Sequence, residues 1–189
     1  MDISTNTILL IACFFMVILF VYYFNTLTRL KNRVSEAESV VDIMLKKKFD
    51  VLPNLIQIVK QFMNHEKNLL TRLTELRTQA QKSKTLEEIA NVESEFNNLT
   101  KNLIITAESY PDLRSSENFL HLQRTVNEVE EQLSAARRSF NAAVTEYNTT
   151  IETIPTLFFA AMLGHKRKTL VNYSDLRSKN FSAEDEFNR

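Results

Sequence analysis

Glycine occurs once in 189 residues, at Gly164, so almost no position can take positive φ cheaply, and hairpin-rich β folds are excluded. Phosphate loops, dinucleotide loops and nucleophile elbows each need more than one glycine, so those enzyme classes are excluded as well. Tryptophan is missing, and the single cysteine, Cys13, lies inside an apolar run. Neither an intramolecular disulfide nor a cysteine-based metal site can form. The 23 basic and 23 acidic residues cancel, which removes any global electrostatic argument for nucleic acid. The histidines, at 65, 121 and 165, are far apart. His65-Glu66 is followed by Leu69 where a zinc-protease helix carries its second histidine. The residues three before the histidines are Phe62, Asn118 and Met162, not the glutamates of a bundle di-iron site. No cofactor or metal is called for. With only Pro53, Pro111 and Pro155 to interrupt it, the chain is expected to be all-α and built of long helices.

What is present begins with ILLIACFFMVILFVYYF, from Ile8 to Phe24, inside an uncharged stretch that runs from Ile3 to Thr28. Such a run predicts a transmembrane helix, which needs roughly 20 apolar residues. It ends in bulky Tyr22, Tyr23 and Phe24 rather than a small-residue cleavage site, so it is expected to be retained, with the tyrosines in the interfacial aromatic belt. Arg29, Lys31 and Arg33 follow directly, whereas Asp2 is the only charged side chain before the run. The positive-inside rule then places the short N-terminus outside and the bulk of the chain in the cytoplasm, with Arg29, Lys31 and Arg33 against lipid headgroups. The expected organisation is an extracytoplasmic stretch 1–7, a transmembrane helix 8–24, a helical bundle 25–163 and a basic, then flexible tail 164–189.

Within the bundle, apolar residues recur three and four apart from Val34 through Ala37, Val41, Met44, Phe49, Leu52, Ile56, Val59 and Met63 to Leu70, Leu73 and Leu76, an amphipathic helical stripe. Pro53 either kinks it or opens a second helix. Thr85-Leu86-Glu87-Glu88 is a capping-box pattern, and Leu86, Ile89, Phe96, Leu99 and Leu103 form the inner face of the helix it starts. That helix should stop before Tyr110-Pro111, with Asp112, Ser115 and Ser116 as candidate caps for the next. The clearest stripe is Phe119, Leu122, Val126, Val129, Leu133, Ala136, Phe140, Ala143, Tyr147 and Thr150, closed by Pro155. It predicts a bundle core or, as the alternative, an intermolecular coiled coil. Three to four helices packed up and down are expected.

Two charged clusters and one apolar piece invite function. Lys46, Lys47 and Lys48 lie too far along an upright helix to meet lipid, so a solvated or subunit-contacting face is expected for them. His65 and His121 border apolar stripes and are read as structural. Leu157, Phe158, Phe159, Met162 and Leu163 belong to LFFAAML, apolar all round and too short to span. It is expected to pack on the bundle, on another subunit or at the membrane surface. His165, Lys166, Arg167 and Lys168 follow its cap, Gly164.

Several blocks, in order, resemble the LemA family. They are Asp42-Ile43-Met44-Leu45-Lys46-Lys47-Lys48-Phe49-Asp50-Val51-Leu52-Pro53-Asn54-Leu55, then His65-Glu66, Glu108-Ser109-Tyr110-Pro111-Asp112-Leu113, Asn118-Phe119-Leu120-His121-Leu122-Gln123, Ala136-Arg137-Arg138-Ser139-Phe140-Asn141, Tyr147-Asn148 and Pro155. The chain departs from the family's pattern in lacking tryptophan and in carrying Phe140 where tyrosine is common. The resemblance implies a bacterial inner-membrane protein with an N-terminal transmembrane helix, a cytoplasmic up-and-down bundle and no assigned biochemical activity; one branch of the family is associated with magnetosome membranes.

The resulting expectation is a non-enzymatic, single-pass scaffold or interaction module whose partners are the lipid bilayer, further copies of itself and other membrane or cytoplasmic proteins, but not nucleic acid. The alternative is a signalling adaptor or sensor component, weakened by the mere seven or so residues before the span. A hydrolase or metal site using Asp112 and His121 is the third reading.

Overall fold

The structure is a computed structural model describing residues 5–83 and 85–170, without the side chains of residues 5, 6 and 86. Among the described residues there are seven helices and no strand: α1 (Thr5–Phe49), α2 (Leu52–Phe62), α3 (Lys67–Lys82), α4 (Leu86–Ala107), α5 (Pro111–Arg114), α6 (Glu117–Glu152) and α7 (Thr156–Met162). The all-α expectation holds. The inner-face assignment of Leu86 and most of the proposed tail fall outside the described residues.

The breaks have local causes. Pro53 splits the first stripe: α1 ends at Phe49, and Pro53 sits in the first turn of α2, where its missing N–H leaves no hydrogen bond unmade. A second break, between Met63 and Lys67, is unannounced, because Met63 and Leu70 are seven residues apart, a spacing an unbroken helix shares. The Thr85 capping box forms, its hydroxyl accepting from the Glu88 amide at 3.2 Å and its amide donating to Glu88 Oε2 at 3.1 Å. Of the three candidate caps before α6, Ser116 takes the position; its carbonyl accepts from the amides of Phe119 and Leu120. Asp112 instead lies in the first turn of α5, and the Ser115 hydroxyl donates back to the Pro111 carbonyl. Gly164 ends α7 with φ +70, and the bonds His165 N–H to Ala160 and Gly164 N–H to Ala161 close a Schellman turn.

The chain divides into two compact units. In the one built on 42–134, α3 packs on α2 and α4 on α3, as short turns between helices require. Leu52, Leu55, Val59, Met63, Leu73, Leu76, Phe96, Leu99, Leu103, Leu113, Phe119 and Leu122 form its core. The unit built on 5–41 and 135–170 has a smaller core, in which Leu27, Leu30 and Val34 of α1 meet Phe140, Val144, Tyr147 and Ile151 of α6 and Ala160 of α7. The long α6 stripe is thus buried inside the chain, apart from half-buried Val126 and Thr150, and acts as core.

Candidate functional site

From Ile8 to Ile18 every residue of α1 is exposed, Phe14 at 69% and Met16 at 68% among them. A helix folded for water hides its apolar side chains; this one hides none along that run and is long and apolar enough to cross a membrane. Tyr23 is half-buried, and Leu27, four residues on, is fully buried. Along one helix the apolar side chains change from outward-facing to core-forming within two turns.

The cations after the run divide. Arg29 and Lys31 are exposed, while Arg33 is engaged by Glu146 of α6 at 2.7 Å. Exposed on both sides, that pair contributes little.

The five residues of the LFFAAML piece also divide. Phe159 and Leu163 are half-buried against the smaller core, the Phe159 ring lying 4.9 Å from Tyr23 and 6.2 Å from Phe20 between centroids. Leu157, Phe158 and Met162 face outward. Behind the Schellman turn the basic segment is fastened rather than loose. The Asn148 side chain, itself buried, donates to the Lys168 carbonyl at 2.8 Å and accepts from the Lys168 amide at 2.9 Å. Tyr147 Oη lies 2.9 Å from His165 Nδ1, and Arg167 meets Glu152 at 2.9 Å. Desolvation, followed by the nearby Lys31 charge, holds the His165 pKa below its ordinary value. Burial raises that of Tyr147.

The lysine triplet is corrected by the structure. Lys46 and Lys47 are exposed, with Lys47 donating to Gln132, but Lys48 is 2% exposed. Its ammonium meets Glu93 at 3.2 Å and Glu130 at 2.5 Å and sits 5.4 Å from the centre of the Phe96 ring. The residue was legible: it lies three after Leu45 and four before Leu52, on the apolar stripe, where a lysine needs an anion. Its burial makes it part of the core, not of a lysine face. Charge also closes α3 onto α4, through Arg72 and Glu95.

His65 and His121 are exposed, as is Asp112. The neighbour of His65 does the work instead: Glu66, just before α3, accepts from Tyr110 Oη at 3.2 Å, across the α4–α5 turn. Desolvation, then this carboxylate, raises the Tyr110 pKa. Among the described residues no three His, Cys, Asp or Glu side chains come close enough to hold a metal ion. The signature blocks converge on fasteners: Lys48 with Glu93 and Glu130, Glu66 with Tyr110, and Tyr147-Asn148 with the 165–168 segment. Sequence spacing shows the individual residues but not these pairs, whose members lie far apart along the chain.

A model of the LemA family matches residues 37–182, a span that contains every one of these fasteners. Protein LemA of Metamycoplasma hominis is 25% identical over 148 residues, covering 74% of this chain and 67% of its own length. Magnetosome proteins MamQ 1 and MamQ 2 of Paramagnetospirillum magneticum are each 20% identical over 170 residues, covering 76% of this chain and 62% of theirs. The chain therefore spans about two thirds of the length of these relatives. Since the family model takes in most of the sequence, the chain belongs to the LemA family.

Proposed function

We propose that this protein is a non-enzymatic, single-pass scaffold of the bacterial inner membrane, anchored by the apolar part of α1, with its N-terminus outside and its helical units in the cytoplasm. The observation that carries the reading is the run Ile8–Ile18, exposed at every residue, which a bilayer accommodates without cost. Confinement to a membrane raises effective concentration, so weak contacts suffice for assembly. The α6 stripe is occupied within the chain, so self-association or partner docking must use other surfaces. Exposed Ile104, Ile105 and Leu120, near the turn from α4 to α6, are apolar side chains available for it. The magnetosome names of the MamQ relatives support a role in membrane organisation.

Native mass spectrometry of detergent-extracted protein tests the scaffold. Oligomers or co-purifying proteins are expected, and a strictly monomeric species alone contradicts it. Orientation is tested by labelling Asp2→Cys in a Cys13→Ser background: intact cells should label, and labelling only after lysis reverses the topology. An adaptor role is the second reading. Its support is that the apolar part of α1 continues without a break into Leu27, Leu30 and Val34 of the packed core, so a tilt of the apolar part would reach that core.

A further inference from the structure

Helix α7 is seven residues long, about 10 Å at 1.5 Å per residue, and cannot cross a bilayer. It is nevertheless apolar on both faces. Thr156 and Ala160 are buried, and Phe159 stacks on Tyr23. On the other face Leu157 is 40% exposed, Phe158 67% and Met162 64%. The ring contacts fix the depth of the helix, because Phe20 and Tyr23 belong to the last part of the apolar run. At about 1.5 Å per residue they lie within roughly 6 Å of its end. Whatever medium surrounds Tyr22 and Phe24, both exposed, therefore reaches the outward face of α7. Immediately after α7 the Schellman turn reverses the chain, and Asn148 pins the segment that carries exposed Lys166 and half-buried Lys168. His165 meets Tyr147, which packs in one core with Leu27, Leu30 and Val34 just past the apolar run, so these cations gather on the side of α1 that leaves the run, and His165 feels the Lys31 charge there. An apolar face followed directly by a cationic rim is how a helix rests in a bilayer surface.

We infer that α7 is a second membrane contact, lying in the interfacial layer beside the span, with Leu157, Phe158 and Met162 among the acyl chains and Lys166 and Lys168 among anionic headgroups. The inference rests on α1 crossing the membrane. A second copy of the chain is the rival occupant, but three side chains on a seven-residue helix present far less than the roughly 800 Å² per partner of a stable protein interface.

The test uses the full chain with Cys13→Ser, reconstituted into phosphatidylcholine–phosphatidylglycerol vesicles. An environment-sensitive dye is placed singly at Phe158→Cys, Met162→Cys, Phe14→Cys or Leu120→Cys. Bromine-bearing acyl chains, brominated near the headgroup or near the chain end, then quench by depth. Dyes at 158 and 162 should be quenched, more by shallow than by deep bromines; the dye at 14 should be quenched by deep ones, and the dye at 120 by neither. Quenching at 14 without quenching at 158 and 162 overturns the inference and leaves the span standing. No quenching at 14 overturns the span and the inference with it. Dyes at 158 that escape bromine but self-quench as protein is concentrated in the vesicles assign the face to a second copy and also overturn it.

Discussion

The two units solve opposite solvent problems. The unit built on 42–134 has a large apolar core and takes a charge inside it, Lys48 between Glu93 and Glu130. The unit built on 5–41 and 135–170 keeps a small core, with Leu27 and Tyr147 in it, and leaves Phe14, Phe15, Val21 and Phe158 outward. The first keeps charge at its surface and apolar groups inside. The second exposes apolar side chains along part of its length, which in the proposed reading meet lipid and there lose nothing. In both units buried polar side chains serve as fasteners: Lys48 with Glu93 and Glu130 in the first, and Asn148 with the Lys168 backbone in the second.

The largest effect that sharpens this contrast lies in the first unit. Lys48→Ala removes the ammonium facing a buried carboxylate and should destabilise by about 3–5 kcal/mol in urea unfolding. Lys47→Ala, on the exposed side, should change little. Equal effects from the two would restore the reading of the triplet as one solvated face. A closely comparable loss is expected from cavities. Leu99→Ala in one core and Leu27→Ala in the other, both sites nearly fully buried, should each cost about 2–5 kcal/mol. Ile11→Ala, at 61% exposed, should leave unfolding midpoints of the detergent-extracted protein unchanged. A large loss there would mean that the apolar run packs against protein.

Smaller effects belong to the fasteners of the second unit. Tyr147→Phe removes the hydroxyl that meets His165 and should cost about 1 kcal/mol. His165 also carries a pH dependence, set by its burial and then by the nearby Lys31 charge. His165 has its pKa lowered in the fold, so the unfolded chain binds its proton more readily, and stability is full above the unfolded value, about 6.5. It is lost as pH falls from there through the folded value. Thermal midpoints should drop as pH is lowered from about 7, and His165→Asn should flatten that slope. The smallest change is expected at Arg33–Glu146, exposed on both sides. Arg33→Gln should cost under about 1 kcal/mol.

Much of this architecture is legible in residue spacing. The apolar run, the Thr85 capping box, the α6 stripe and the stops at Pro53, Pro111 and Pro155 all follow from periodicity and backbone chemistry. The break between Met63 and Lys67 does not, because seven residues between apolar positions fit a continuous helix and a break alike. Leu27 and Leu30 extend the α1 stripe back toward the apolar run, at the same three- and four-residue spacing as Val34, Ala37 and Val41, where the uniform hydropathy of the segment hides the onset of packing. Lys48 was visible as a lysine on an apolar stripe, yet its two glutamates come from α4 and α6, and no local pattern selects them. The grip of Asn148 on Lys168 is a side chain holding backbone, which carries no periodic signal. Sequence therefore reveals which faces are apolar; pairing across helices decides which become core.

The central claim is that the exposed apolar surface of α1 is covered by lipid. Alkaline carbonate extraction of membranes from cells expressing the full chain addresses it most directly. Retention in the pellet, lost when Phe14 and Ile18 are both changed to Arg, is the expected result; release of the unaltered protein into the supernatant would contradict the account.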